Sequence, residues 1–307
     1  MAGLRKLTKT LKILSRRRRC LGPIHKFDRR SDQTASAAAS GLRGGVLRTT
    51  IDAFLDSPGL TDRMIASELR VRPDEAKKVY FNWDLPAFLW QAVLGSPTLR
   101  STLTNYLGPR LRLDDLYVKT VMDGLNASAE GWHDDNVGYR VKVFMVFDTE
   151  GTPSGTVVVP TERPHLYQIR TWDEISRFMF KQKTEVRENA VRVAYLPGDC
   201  LVFDTNIPHR GDYHSGVGIR YCVVAEFIDR DKANALRGLA PCGPGQSLRR
   251  IRIPSLPGVD VANHPLIDPS ILRSLRRTAT GGSTAMRNRV RWQEPPCRKA
   301  PAFWFWS

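Results

Sequence analysis

The stretch Glu130–Asp148, EGWHDDNVGYRVKVFMVFD, places a histidine and two aspartates directly before a strand-like apolar run. In an extended chain, side chains i and i+2 project to the same face, so His133 and Asp135 converge while Asp134 points away. One imidazole nitrogen and one carboxylate oxygen are thereby presented together. The arrangement reads either as an acidic turn or as the first half of a metal site, and residues further along the chain decide between the two.

Arg140–Asp148 is one of several short strand candidates between Leu116 and Asp229. The others are LYVKTVM (116–122), GTVVVP (155–160), HLYQI (165–169), AVRVAYL (190–196), CLVFD (200–204) and IRYCVVAEF (219–227), separated by Gly, Pro, Asp and Asn. Many short strands with turn signals between them predict a sandwich or barrel. Upstream, from Val46 to Leu107, helical periodicity dominates. In DLPAFLWQAVLG (84–95) Asp84 is the expected cap, Pro86 suits a first turn, Leu85, Phe88, Leu89 and Val93 share a face, and Gly95 is the expected stop. Beyond Asp231 the chain is rich in Pro, Gly and Arg, with one short helix candidate at DPSILRSLRR (268–277) and an irregular tail ending in AFWFWS. The expected organisation is a basic extension and linker over 1–45, a helical buttress plus β domain over 46–230, and a basic C-terminal extension over 231–307.

Charge follows the same division. Residues 1–50 carry 13 Lys and Arg against 2 acids, residues 230–307 carry 14 against 4, and the middle holds 20 against 25, a net of −5. The whole-chain charge of +16 therefore belongs to the ends, and a specific nucleic-acid interface is not expected. Leu4, Leu7, Leu11 and Leu14 form an apolar stripe among Lys and Arg. Three readings of this segment stand side by side: a solvated tail, peripheral contact with an anionic membrane through residues 1–20, and an organelle presequence. Five cysteines without paired short spacing fit a reducing compartment, and no apolar run is long enough to span a bilayer, so a cytoplasmic or membrane-peripheral protein is expected.

The second half of the constellation lies in LPGDCLVFDTNIPHRGDYHSGVGIRYCVVAEF (196–227). A Pro-Gly-Asp turn leads into a strand, His209 comes after it, and Arg220 sits near the start of an apolar strand on the face of Cys222 and Val224. An arginine there is costly inside a barrel unless an anion meets it. Two histidines and one carboxylate form the facial triad of non-haem Fe(II) oxygenases, which leaves coordination positions open. His214 is a rival third ligand, while His165, His264 and Asp134 read as surface or loop residues and Trp132 as packing.

In the order WHDD, GTVVVP, LPGD, PHRG, GIRY, residues 116–229 resemble the phytanoyl-CoA dioxygenase-like branch of the Fe(II)/2-oxoglutarate-dependent oxygenases. The resemblance implies a mainly β fold with flanking helices and a double-stranded β-helix (jelly-roll, cupin-like) core. It further implies that His133, Asp135 and His209 bind Fe(II), that Arg220 holds the distal carboxylate of 2-oxoglutarate, and that Thr156 contacts this cosubstrate. Lys119 is a candidate for the inner carboxylate. The implied reaction uses O2 and 2-oxoglutarate to hydroxylate an unactivated C–H bond of a small molecule or metabolite conjugate, releasing succinate and CO2. TERPH after Pro160 and Cys222 two residues after the arginine depart from the family pattern. Two other readings are a non-catalytic cupin-like binding protein and an oxygenase acting on a lipid-linked sugar or a polyanionic partner.

Overall fold

Strands begin where β-branched and aromatic residues alternate, and the longest of them are buried on both faces. The computed structural model describes residues 41–71, 78–81, 85–122, 140–160, 189–193, 195–205, 207–212, 217–229 and 253–268. Nine strands run in chain order: β1 Val46–Thr50, β2 Lys78–Phe81, β3 Leu111–Met122, β4 Arg140–Thr152, β5 Gly155–Val158, β6 Val191–Val193, β7 Asp199–Asp204, β8 His209–Asp212 and β9 Val217–Asp229. They form an antiparallel six-stranded sheet in the order β1-β7-β4-β9-β3-β2 and a three-stranded sheet in the order β6-β5-β8.

From β4 onward the chain passes from the large sheet to the small one (β5, β6), back (β7), across (β8) and back again (β9). Sequential strands thus lie in facing sheets, which is the winding of a jelly roll, and the core is a double-stranded β-helix. HLYQI, the first 40 residues, the helix candidate at 268–277 and the aromatic tail lie outside the described residues, as do His133, Asp134, Asp135, Trp132, His165 and His214. Among the described residues no helix is long and apolar enough to cross a membrane.

Strand alternation sends the two faces of the large sheet into different cores. Val141, Val143, Met145 and Phe147 of β4, with Tyr221, Val223, Ala225 and Phe227 of β9, pack against helices. Tyr117, Phe144, Val146, Leu201, Phe203, Cys222 and Val224 point between the sheets and meet Val158, Val193 and Tyr195. Each fully buried side chain of this size contributes about 1.5–3 kcal/mol.

The buttress consists of α1 Ile51–Phe54, α2 Leu60–Ala66, α3 Ala87–Gly95 and α4 Pro97–Leu107. It is not wholly helical. Val46–Thr50 is an edge strand paired with β7, because the two β-branched threonines and Val46 fit a pleated edge better than a helix turn. α3 also differs at its ends. Pro86 precedes the helix instead of occupying its first turn, and Asp84 lies outside the described residues. Gly95 is the last helical residue; the stop comes from Ser96, whose extended backbone (φ −71°, ψ 116°) ends α3 and whose hydroxyl accepts from Leu99 N–H at 2.9 Å to begin α4.

The C-terminal region contributes to the body: Ile253, Leu256, Leu266 and Ile267 are buried on the helix side, and Leu113 N–H donates to the Leu266 carbonyl at 2.8 Å. This strap was not visible in composition, since its few apolar residues are scattered among Pro, Gly and Asp.

Asp52 ties α1 to α2. Its carboxylate accepts from Gly59 N–H (2.8 Å) and from the N–H and hydroxyl of Thr61 (both 2.9 Å). Burial raises its pKa, but these hydrogen bonds and the nearby Arg63 outweigh that and lower it below 3.8. A depressed carboxylate stabilises the fold above its unfolded pKa and loses that contribution as pH falls through the folded value. Asp52→Asn is therefore expected to cost about 1–2 kcal/mol near neutral pH, shrinking towards zero below about pH 3, as measured by urea unfolding across pH.

Candidate active site between the two sheets

The inner face of the large sheet is built of cross-strand rows, each set by register. One row holds Val46, Phe203, Lys142, Glu226 and Asp115; the next holds Arg48, Leu201, Phe144, Val224 and Tyr117. Val146, Cys222 and Lys119 form a third, and Thr149, Arg220 and Val121 a fourth. Two irregularities maintain this phase. β4 is shifted between Val146 and Asp148 and β3 between Leu113 and Asp115, each absorbing one extra residue beside β9.

His209 enters from the small sheet, where β8 pairs with β5 through Val158. It is buried, and its ring meets Phe203 edge-on at 5.0 Å. Its Nδ1 lies 2.9 Å from the Ile207 carbonyl. A carbonyl only accepts, so Nδ1 carries the proton and Nε2 the lone pair, the tautomer that a metal-binding histidine adopts when a backbone carbonyl orients it. The turn before it is tightly packed. Ile207 N–H donates to the Asp204 carbonyl at 3.1 Å, and the Asp204 carboxylate accepts from Tyr106 OH at 2.8 Å.

Arg220 is buried in the fourth row, and its Nη1 donates to the Ser154 carbonyl at 2.9 Å and the Gly155 carbonyl at 3.4 Å. Its guanidinium carbon stands 5.2 Å from the Tyr195 ring centroid, and Tyr195 Oη is 2.7 Å from Thr156 Oγ1. Among the described residues, no carboxylate pairs with Arg220. Carbonyl dipoles and a π-face hold it in place without neutralising it, so this pocket suits a carboxylate. Burial pushes the Tyr195 phenol up to about 12 despite Arg220 and Thr156, so it remains a hydrogen-bond donor. Cys222, one row on, is raised by burial against the pull of Arg220 and Lys119, and stays a thiol. Lys119 places its ammonium 5.4 Å from the Phe144 ring centroid, and Phe144 stacks on Phe203 at 5.6 Å.

His209, Arg220 and Thr156, named from sequence, are thus gathered between the sheets, with Lys119 on the same inner face. Tyr195 was missed. Its signal was present in AVRVAYL, where Val193 and Tyr195 are i and i+2 and so share the inward face, but an aromatic there reads as packing. His264 lies in the C-terminal strap, where Leu266 N–H donates to its Nδ1 at 3.3 Å, away from these groups. Among the described residues, no group of three or more His, Cys, Asp and Glu gathers to hold a metal. His209 is the described member of the expected triad.

No protein-family profile and no curated protein matches the chain. Solved structures do. The chain is similar to HygX from Streptomyces hygroscopicus with nickel and 2-oxoglutarate bound, at 14% identity and TM-score 0.44 over 61% of this chain and 83% of that one. It is also similar to the epimerase SnoN in complex with Fe3+, alpha ketoglutarate and nogalamycin RO, at 16% identity and TM-score 0.37 over 64% and 85%. A third is EctD from S. alaskensis, at 14% identity and TM-score 0.43 over 64% and 76%.

Gly218, two residues before Arg220, is where β9 passes closest to the β4–β5 turn. A Cβ there would stand 2.5 Å from the Glu150 carbonyl oxygen, 2.7 Å from Pro153 N and 2.9 Å from Thr152 C, all backbone atoms. Gly218→Ala is expected to cost about 1–3 kcal/mol, since the strand must move away from the turn whose carbonyls hold Arg220. A denaturant melt comparing it with Gly95→Ala, where nothing lies within 4 Å, checks this.

Proposed function

We propose that this chain is an Fe(II)/2-oxoglutarate-dependent oxygenase of the phytanoyl-CoA dioxygenase-like branch, hydroxylating an unactivated C–H bond of a small molecule or metabolite conjugate. The observation that carries the reading is Arg220, a buried cation without a described acid partner, on the same inner face as a histidine whose tautomer suits metal binding. The order of the motifs WHDD, LPGD, PHRG and GIRY along the strands supports it further.

In this reading His133, Asp135 and His209 hold the metal, which supplies oxygen activation when bound. His209 is oriented by the Ile207 carbonyl and braced by Phe203, so its Nε2 lone pair is held in one direction. Arg220 binds the distal carboxylate of 2-oxoglutarate through its planar fork, steadied by Ser154 and Gly155. Tyr195 and Thr156 form a hydroxyl pair beside that carboxylate, one donating to it and the other fixing its neighbour's rotamer. Phe144, Phe203, Val146 and Val224 exclude water from the interior, which strengthens each of these polar contacts.

Purified protein reconstituted with Fe(II) should convert 2-oxoglutarate to succinate even without a primary substrate. Metal binding with no succinate formed would instead favour the cupin-like binding reading. His209→Ala is expected to abolish stoichiometric iron in metal analysis while leaving the melting curve cooperative. Arg220→Ala should weaken anaerobic 2-oxoglutarate binding about tenfold to a hundredfold, as expected for lost charge-assisted hydrogen bonds, and Arg220→Lys less. Iron binding should survive both Arg220 changes, and unaltered 2-oxoglutarate affinity in Arg220→Ala would overturn the assignment.

A further inference from the structure

The inner-face row that contains Phe203, the residue against His209, also contains two opposite charges that the cosubstrate reading does not use. Lys142 is paired in register with Phe203 on one side and Glu226 on the other. Glu226 Oε1 accepts from Tyr117 OH at 3.0 Å and lies 3.6 Å from Lys142 Nζ, and Oε2 lies 3.1 Å from Arg140 Nη2. Arg140 is in turn ion-paired with Asp114. All are largely buried; the Lys142 and Glu226 side chains are 16% and 11% exposed.

Burying such a network is a poor way to stabilise a core, because hydrophobic residues of similar volume do at least as well. Its position suggests another use. Along β9, the Glu226 row and the Arg220 row lie on opposite sides of the Val224 and Cys222 rows. The Glu226 row is therefore set apart from the place where the proposed function puts the distal carboxylate of 2-oxoglutarate, and it adjoins His209 through Phe203.

We propose that Glu226 and Lys142 are substrate-positioning residues and that the substrate class is a hydroxyl-rich carbohydrate; this rests on the oxygenase reading of the same cavity. A carboxylate and an ammonium side by side present an acceptor and a donor together. A hydroxyl group is both donor and acceptor, and neighbouring hydroxyls on a sugar ring satisfy both members at once. A carboxylate oxygen accepts more than one hydrogen bond, so Tyr117 orients Glu226 without exhausting it. The stacked Phe144 and Phe203 beside the pair supply an apolar surface of the kind that the C–H face of a sugar ring covers. A purely hydrocarbon substrate would leave both charges facing it without compensation, a mismatch of the kind that gives strong discrimination.

The test uses full-length protein with Fe(II) and 2-oxoglutarate under anaerobic conditions, titrated by ligand-observed NMR with the methyl glycosides of glucose, galactose, mannose and xylose. Octanoate serves as the apolar comparison. Saturable binding of at least one glycoside is expected, weakened at least tenfold in Glu226→Gln and in Lys142→Met, and about threefold in Tyr117→Phe. Iron and 2-oxoglutarate affinities should stay within about twofold of the parent chain. Should Glu226→Gln fail to fold, Lys142→Met decides, because that side chain is partly exposed and Arg140 keeps Asp114 as its partner. Binding of octanoate in place of every glycoside, or a glycoside affinity unchanged in Lys142→Met, overturns the proposal. Glycoside binding that depends on Glu226 in protein unable to bind iron or 2-oxoglutarate would support the pair while overturning the oxygenase reading.

Discussion

Strand β9 is held antiparallel between β3 and β4 along nearly its whole length, and this double pairing is the constraint on which the rest of the molecule depends. Because both neighbours fix the same strand, the side to which each of its residues points is set twice. Arg220, Cys222, Val224 and Glu226 face the interior, while Tyr221, Val223, Ala225 and Phe227 join the helices. The helices and the C-terminal strap bury the second set and so anchor the first. Chemistry on the inner face is thereby carried by the packing of the outer one.

The interior departs from an apolar core in a graded way. Arg220 lies at one end of the β9 row series and the Glu226 network at the other, with Phe144, Phe203, Val146 and Val224 between. Each charge has a local device that offsets its desolvation: backbone carbonyls and a π-face for Arg220, a phenol and two cations for Glu226. Such devices hold orientation more than they add stability. A fold that needed only a barrel would be served by valine at these positions.

Much of this was legible in the sequence, for identifiable reasons. β4, β7 and β9 were recognisable because both of their faces are buried, which produces long apolar runs between turn residues. Arg220 was conspicuous because a lone cation interrupts such a run, and His209 because it comes after a Pro-Gly-Asp turn and a strand at a distance that a return strand requires. β1, β2 and β8 were not seen. They are short edge or small-sheet strands whose residues, such as Arg48, Thr49, Thr50 and His209–Asp212, carry little hydrophobic signal, and their conformation comes from pairing. Tyr195 and Glu226 were invisible as site residues because their roles arise from partners 39 and 109 positions away, Thr156 and Tyr117. No local pattern encodes that.

The extra residue that β4 accommodates between Val146 and Asp148 carries a consequence for how this protein can change over time. It places Phe147 and Asp148 on the helix side, where Asp148 meets Arg70, and returns Thr149 to the register position opposite Arg220. Loss of that single residue would invert the facing of everything from Asp148 to the β4–β5 turn, exchanging lining for surface without altering any side chain that contacts a ligand. The tolerance of this strand is therefore asymmetric. Substitutions here can be absorbed one at a time, whereas a one-residue deletion acts like a frameshift in three dimensions, and descendants of this chain should vary in the identity of Phe147 far more readily than in its existence.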